Sequence, residues 1–274
     1  MTIQSAVGSA LSLTDVAHFW KFGYVKLSGI LDDTQLSNLR VAMDGALETF
    51  ESSPNSYNAT AVGDAFWSEA QHIDDQGSLQ HDLQSLSNAI RASGFCRLIE
   101  ESPGNQPGGR FLIDTSVWRR VPELADFATG GVVPDIAAIL LAVDRLRFFD
   151  DQLFVKEAGA LDRAAFHQDL SYFHLDGTCG CVVWIPLDPV RRGGGAMGYV
   201  PGSHMWGYTF NPNVFLCQMR SPGSAGQDLP PIENFPDQYN VQYVEADPGD
   251  IVVHHFQTVH GSEGNRLTTP RRAF

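Results

Sequence analysis

The stretch that decides the fold is Phe166-His167-Gln168-Asp169, and far downstream it is followed by His260-Gly261-Ser262 and then Arg271. In an extended strand, successive side chains alternate between two faces. His167 and Asp169 are therefore predicted to point the same way, and Gln168 the other way. Two imidazoles and one carboxylate form the donor set of non-haem Fe(II) sites, which leaves other metal positions open. The stretch thus predicts a β-rich segment that holds iron.

The composition is that of one large globular domain or two small ones. The chain has 274 residues, of which 43% are hydrophobic and 18% charged. Its 18 basic and 32 acidic residues give a net charge of -14. This charge repels phosphate backbones and anionic lipids, so we expect neither nucleic acid nor a membrane as a partner.

The sequence predicts a cytoplasmic protein of undetermined oligomeric state. Residues 1–12 lack the basic and apolar regions of a secretory signal, and no apolar run approaches the roughly 20 residues of a membrane helix. Four cysteines without dense spacing fit a reducing compartment. Cys179 and Cys181 suggest a metal pair, but alternation places them opposite Trp184, so we interpret them as small core residues.

Helical periodicity dominates the first half of the chain. We predict a loose start over residues 1–12, a helix from Leu13 that Gly23 ends, a strand at Tyr24–Leu27, and a helix from Asp33 to about Phe50. The second helix has an apolar stripe at a spacing of three or four residues, made of Leu36, Leu39, Met43, Leu47 and Phe50. Further predictions are an irregular connection over 52–75, a helix from Leu79 to Ile99, a loop over 102–109, and a helical pair over 116–143 broken around Gly130.

From Leu146 onward the sequence consists of short β-rich segments separated by Gly/Pro turns, which predicts a barrel or a sandwich. The predicted strands are Leu146–Lys156, Ala164–Phe173, Cys179–Leu187, Ala196–Val200, Tyr243–Glu245 and Ile251–Phe256. The polar insertion over 209–242 has the length of a lid or a binding loop.

Several separated motifs occur in one order: Gln152-Leu153-Phe154-Val155-Lys156, Phe166-His167-Gln168-Asp169, Trp184-Ile185-Pro186-Leu187, Pro201-Gly202-Ser203-His204, Gly249-Asp250, His260-Gly261-Ser262 and Arg271-Arg272-Ala273. Together they closely resemble the phytanoyl-CoA dioxygenase family of Fe(II)/2-oxoglutarate oxygenases. The resemblance is good from Leu146 to the end and loose before it. It implies one α+β, mainly β domain over 1–274, in which helices over 13–145 support a double-stranded β-helix (jelly-roll, cupin-like) barrel over 146–274.

The resemblance implies the site residues. His167, Asp169 and His260 would bind the iron, and Arg271, with Ser262, would hold the distal carboxylate of the cosubstrate 2-oxoglutarate. Arginine suits this task because its planar fork meets a carboxylate with two parallel hydrogen bonds. Gln152 and Trp184 match positions that line the cosubstrate pocket. Asp114 stands where the family often has a lysine contact, and we assign it no role.

Three other histidines could be considered as functional residues. His254 and His255 are rival distal ligands, but only His260 is followed by Gly-Ser and a suitably placed arginine. His255 is then interpreted as a structural residue or as one that supports the ligands, and His204 as a turn residue at the barrel mouth.

The implied activity is that of a dioxygenase that uses Fe(II), 2-oxoglutarate and O2 to hydroxylate an aliphatic C–H of a small-molecule metabolite, with release of succinate and CO2. Asp169 disfavours halogenation, for which relatives have a small residue there. Desaturation, epimerisation and cyclisation stay open, as do a cupin-like enzyme without 2-oxoglutarate and a silent ligand-binding barrel. The candidate substrate contacts, each equally suited to core packing, are Tyr172, His174, Met197 and Tyr199. Because family members usually continue beyond Arg271-Arg272-Ala273, we expect weaker 2-oxoglutarate binding than in a longer chain.

Overall fold

The computed structural model describes residues 11–60, 108–173, 175, 177, 179–213, 215–216 and 226–274. Most of the expected loose start and the predicted helix from Leu79 to Ile99 lie outside these ranges. So do His174, most of the predicted loop over 102–109, and part of the insertion over 209–242.

The helices of the described residues are α1 Leu13–Phe22, α2 Asp33–Glu48, α3 Pro122–Thr129 and α4 Val132–Leu141. α1 and α2 each begin with a capping box, in which the side chains of the cap and of the third helical residue bond each other's backbone N–H. α1 ends at Gly23, whose φ of 84° is readily adopted only by glycine. These four helices confirm the helices predicted from Leu13 and from Asp33. They also confirm the helical pair predicted over 116–143, including the break between α3 and α4.

The apolar stripe of α2 packs into the main core. Leu36, Leu39 and Met43 are buried there with residues of α1 and α4, and Phe50 is buried just beyond the helix end. No single helix of the described ranges has the length and apolar character needed to cross a membrane; α3 and α4 meet that test only when counted as a bent pair.

The described strands are β1 Tyr24–Leu27, β2 Ser56–Asn58, β3 Phe111–Thr115, β4 Gln152–Lys156, β5 Ala164–His167, β6 Cys181–Trp184, β7 Met197–Tyr199, β8 Gln242–Val244, β9 Ile251–His255, β10 His260–Ser262 and β11 Arg271–Ala273. They form three antiparallel sheets with the orders β1-β9-β6, β5-β10-β7-β8 and β11-β4-β3-β2. Beyond β6, Ile185 bonds Phe274 and Leu187 bonds Arg272, which joins the first and third sheets edge to edge.

Three predictions about the strands were wrong in part. The region over 13–145 contributes β2 and β3, neither of which was predicted, in addition to the predicted β1. The predicted strand from Ala164 to Phe173 ends at His167 and gives way to a 3₁₀ turn, Asp169–Ser171. The predicted strand from Leu146 begins only at Gln152.

The joined sheets face the sheet that contains β5 and β10. Trp184 of β6 packs in one apolar cluster with Met197 and Tyr199 of β7, and the ring of Tyr24 stacks on that of Tyr199 at 4.6 Å. The fold is thus a mixture of helices and antiparallel sheets, and the described ranges contain no closed barrel. The jelly-roll arrangement stays a prediction, and the candidate site lies between the facing sheets.

Candidate metal centre

The structure brings His167, Asp169 and His260 together. His167 ends β5 and His260 begins β10, and the two are directly paired across the strands, so their side chains lie on one face. Asp169 comes from the 3₁₀ turn that follows β5. One donor atom from each residue lies within 4.8 Å of the others, and Asp169 Oδ1 is 3.4 Å from His167 Nε2 and 3.6 Å from His260 Nε2. This geometry suits one metal ion.

Backbone carbonyls orient both imidazoles. Nδ1–H of His167 donates to the carbonyl of Ala165 at 2.7 Å, and Nδ1–H of His260 donates to that of Thr258 at 2.9 Å. In this tautomer each Nε2 presents a lone pair toward the carboxylate. Two imidazole nitrogens and one carboxylate oxygen fit Fe(II), because this donor set leaves positions for other ligands.

The protonation states suit metal binding. Burial lowers the pKa of His260 to about 3, so that its imidazole is neutral at pH 7. Burial opposes ionisation of Asp169, but the surrounding histidines, His260, His167 and His254, outweigh it and hold the pKa of that carboxyl well below its usual range. The centre therefore holds a carboxylate and a neutral imidazole in the states that ligate a cation.

His254 contacts Asp169, a contact that sequence reasoning missed. Its Nε2 lies 2.9 Å from Asp169 Oδ2, whereas His255, interpreted as either a structural residue or one that supports the ligands, points to the opposite face of β9. There His255 packs beside Phe19 and Trp20 of α1. Neighbouring residues of a strand face opposite ways, so only the register of β9 distinguishes the two histidines.

Arg271 is buried between the sheets, with 3% of its surface exposed. Its Nη2 donates to the carbonyl of Gly195 at 2.8 Å, while its Nε has no hydrogen-bond partner among the described residues. Burial lowers the pKa of Arg271 to about 10, which leaves it charged at pH 7. Its guanidinium carbon lies 5.5 Å from the centre of the Trp184 ring. A buried guanidinium with an unused donor favours an anionic ligand.

Lys156 is a second buried cation of this region, and sequence reasoning missed it too. Its Nζ donates to Ser262 Oγ at 2.9 Å, and β4 places it directly opposite Arg271 of β11. Gln152 lies on the same face of β4 but is exposed at the far end of the strand. Asp114, to which no role was assigned, points away and pairs with Arg120.

The predicted substrate contacts divide into different environments. The ring of Tyr172 lies 5.4 Å from that of His167, and its hydroxyl donates to Asn213 Oδ1 at 2.7 Å. Met197 is buried in the cluster of Trp184. Tyr199 is fully buried, and its hydroxyl lies 3.3 Å from His254 Nδ1.

Two predictions outside the centre have definite outcomes. His204 lies in a 3₁₀ turn, Ser203–Met205, and bonds the carbonyl of Trp20, as expected of a turn residue. The prediction that both cysteines are core residues was wrong for Cys179, which is exposed. Cys181 is half-buried, and burial raises the pKa of its thiol to about 12.

Comparison with known proteins defines the class. The model of the phytanoyl-CoA dioxygenase (PhyH) family matches residues 19–273. A probable phytanoyl-CoA dioxygenase of Caenorhabditis elegans is 29% identical over 112 residues, which are 40% of this chain and 34% of that protein. The matched segment thus spans about a third of the length of that curated relative.

Solved structures share the fold. The non-haem α-ketoglutarate-dependent carbocyclase SnoK from nogalamycin biosynthesis is 21% identical, with a TM-score of 0.63 and coverage of 100% of this chain and 83% of that one. The epimerase SnoN, in complex with Fe3+, α-ketoglutarate and nogalamycin RO, is 20% identical, with a TM-score of 0.56 and coverage of 95% and 80%. EctD from S. alaskensis, with 2-oxoglutarate and 5-hydroxyectoine, is 18% identical, with a TM-score of 0.59 and coverage of 96% and 74%.

The class of protein that this family match defines is that of the dioxygenases. Within that class, the chain belongs to the phytanoyl-CoA dioxygenase family.

Proposed function

We propose that this chain uses Fe(II), 2-oxoglutarate and O2 to hydroxylate an aliphatic C–H of a small-molecule metabolite, with release of succinate and CO2. The observation that carries the proposal is the convergence of His167, Asp169 and His260 on one point between sheets that also bury Arg271. The facing antiparallel sheets support the further proposal that the strands wind as a double-stranded β-helix.

His167 and His260 would bind the metal through Nε2, and Asp169 through Oδ1. The carbonyls of Ala165 and Thr258 keep both imidazoles in the required tautomer before any metal arrives, which lowers the cost of organising the site. A bound iron would supply the O2 chemistry, and the protein supplies binding, orientation and exclusion of water.

Arg271 would hold the distal carboxylate of 2-oxoglutarate, with Ser262 as a second donor. Ser262 Oγ accepts hydrogen bonds from Lys156 Nζ at 2.9 Å and from Ala164 N–H at 3.4 Å. Its own proton is then left to donate to a ligand oxygen. Trp184 would line the pocket beneath the guanidinium, and Gln152 would contact the cosubstrate from the open end of β4.

The substrate is proposed to be a small molecule that contacts Tyr172 and Met197, with the insertion over 209–242 as a lid or binding loop. A carbocyclase, an epimerase and a structure with a hydroxylated ligand share this fold. The second candidate is therefore a non-hydroxylating oxidation by the same site. A cytoplasmic location remains a prediction.

The test is succinate formation from 2-oxoglutarate by the purified protein reconstituted with Fe(II), with and without O2. Candidate metabolites are then screened for those that raise succinate release. The mass of the product distinguishes the reactions, because hydroxylation adds an oxygen atom, desaturation removes two hydrogen atoms and epimerisation leaves the mass unchanged. The proposal would be refuted if the purified protein formed no succinate, or if succinate formed without either iron or 2-oxoglutarate.

A further inference from the structure

His254 is placed against the candidate centre by the register of β9. Its neighbours across the sheets are Tyr24 of β1 and Val182 of β6. With Val252 it faces the interior between the sheets, whereas Val253 faces the helical core. Only 1% of its surface is exposed, so water does not compete for its ring nitrogens.

The two oxygens of Asp169 have different surroundings. Oδ1 is the atom near His167 Nε2 and His260 Nε2, whereas Oδ2 lies 2.9 Å from His254 Nε2. Because Asp169 belongs to a short 3₁₀ turn and to no strand, a strand ladder does not fix its side-chain direction. The hydrogen bond at Oδ2 therefore distinguishes the two oxygens, because it leaves Oδ1 toward the two other imidazoles.

Tyr199 lies against the other ring nitrogen of His254. Its hydroxyl is 3.3 Å from His254 Nδ1, and a phenol donates readily to an imidazole nitrogen. When Nδ1 accepts this bond, the proton is on Nε2, which then donates to Asp169. The ring of Tyr199 is itself held by the stacked ring of Tyr24, with 10° between the planes.

We propose that His254 is a positioning residue that holds Asp169 with Oδ1 alone turned toward the metal, and that Tyr199 fixes the tautomer required for this. The inference rests on the proposed function only for the identity of the metal. A carboxylate that used both oxygens would occupy a second metal position, so His254 keeps that position available for the cosubstrate or O2.

The test uses Co(II) as the probe and the metal-free protein without 2-oxoglutarate. Affinity is measured by titration calorimetry, and ligand geometry by the visible absorption of bound Co(II). His254→Leu is expected to raise the Co(II) Kd by about 10- to 100-fold and to change the spectrum, as loss of a partner of a ligand does. His254→Gln, whose amide can still donate to Oδ2, is expected to stay within about 3-fold of the wild type.

The matched control is His255→Leu, the same change at the next residue of β9. It removes a buried imidazole from the other face, so it is expected to leave the Co(II) spectrum and Kd unchanged, whatever it does to stability. Tyr199→Phe removes one hydroxyl and is expected to raise Kd by about 2- to 10-fold, the loss of one neutral hydrogen bond. That effect should vanish in the His254→Leu background, because Tyr199 acts through His254.

A His254→Leu protein with the wild-type Kd and spectrum overturns the inference. If that variant does not fold, Tyr199→Phe decides, and an unchanged Kd in that variant overturns it as well. Wild-type protein that binds Co(II), with the expected loss in the variants, supports the positioning role even when no succinate is formed, in which case only the proposed function fails. Wild-type protein that binds no Co(II) overturns both.

Discussion

At the scale of single residues, Asp169 combines a charge with a position between the sheets. Because it faces the other candidate ligands and lies outside every apolar cluster of the described residues, Asp169→Ala is expected to abolish succinate formation and to leave the fold intact. Succinate release and thermal unfolding followed by circular dichroism measure the two properties. Asp247→Ala, at an exposed carboxylate, is the control for loss of a negative charge. A cooperative loss of folding in Asp169→Ala would make the residue structural instead.

Arg271 has a natural control in the next residue. Arg271→Ala is expected to raise the KM for 2-oxoglutarate by about 10- to 100-fold, since a hydrogen bond to a charged group contributes about 1.5–3 kcal/mol, and to change the Fe(II) requirement little. Arg271→Lys keeps the charge but lacks the planar guanidinium, so its KM for 2-oxoglutarate is expected to lie between those of the wild type and Arg271→Ala. Arg272 points outward to Asp188 and Asp44, so Arg272→Ala should leave the KM near the wild-type value. Equal effects of Arg271→Ala on iron and cosubstrate would contradict the assigned role.

The sequence predicted the residues of the centre better than their surroundings. His167, Asp169 and His260 followed from residue type and order, although Asp169 reaches the site from a turn and not from the predicted strand. His254 was missed for a physical reason. Its direction depends on strand register, and in β9 every residue is buried, so no alternation of apolar and polar residues reveals which face is which.

At the scale of elements, α2 was predictable because its stripe, its capping box and its length all favour a helix. β3 was missed because Phe111-Leu112-Ile113-Asp114 is buried on both faces, which removes the alternation that indicates a strand. Asp114 is buried in this strand with its carboxylate paired to Arg120.

α2 also permits a test of stability. Gly45 lies in the exposed surface of the helix interior, and a Cβ there would meet no atom within 4 Å. Gly45→Ala is expected to raise the free energy of unfolding by about 0.5–1 kcal/mol, measured by urea denaturation, because alanine loses less backbone entropy on folding.

Gly23 provides the opposite case. It has a φ of 84°, and a Cβ would collide with the side chains of Thr258 and His204, so Gly23→Ala is expected to lower the free energy of unfolding. If both substitutions raised the free energy of unfolding, or if neither did, then backbone conformation and close packing would not explain how the two glycines differ.

At the scale of the whole molecule, Glu233 links the insertion to the sheet that carries the centre. Its Oε1 accepts a hydrogen bond from the N–H of Phe166, and burial raises its pKa from 4.5 to about 7. The unfolded chain binds a proton less readily than the folded one. The contribution of Glu233 to stability is therefore full below about pH 4.5, falls as the pH rises to about 7, and is constant above that.

Glu233→Gln should remove this slope, because the amide keeps an acceptor for Phe166 without a charge. The variant is expected to be more stable than the wild type at pH 8 by about 1–3 kcal/mol, and to differ less at pH 4.5, by urea denaturation at both values. Glu123→Gln, on the exposed surface of α3, is the control. If the free energies of unfolding of the wild type and Glu233→Gln differed by the same amount at both pH values, the buried carboxyl would not be the cause of the pH dependence.

The pairing of β1 with β9 joins residues that are almost the whole chain apart, since Tyr24 opposes His254. Such remote contacts slow folding, because the long loop between the partners must close before the pairing gains any energy. During synthesis β1 is made long before β9. Until β9 pairs with it, the edge of β1 is unpaired and can contact other chains. Because the same strand pair sets the direction of His254, its contact with Asp169 depends on closure of that long loop.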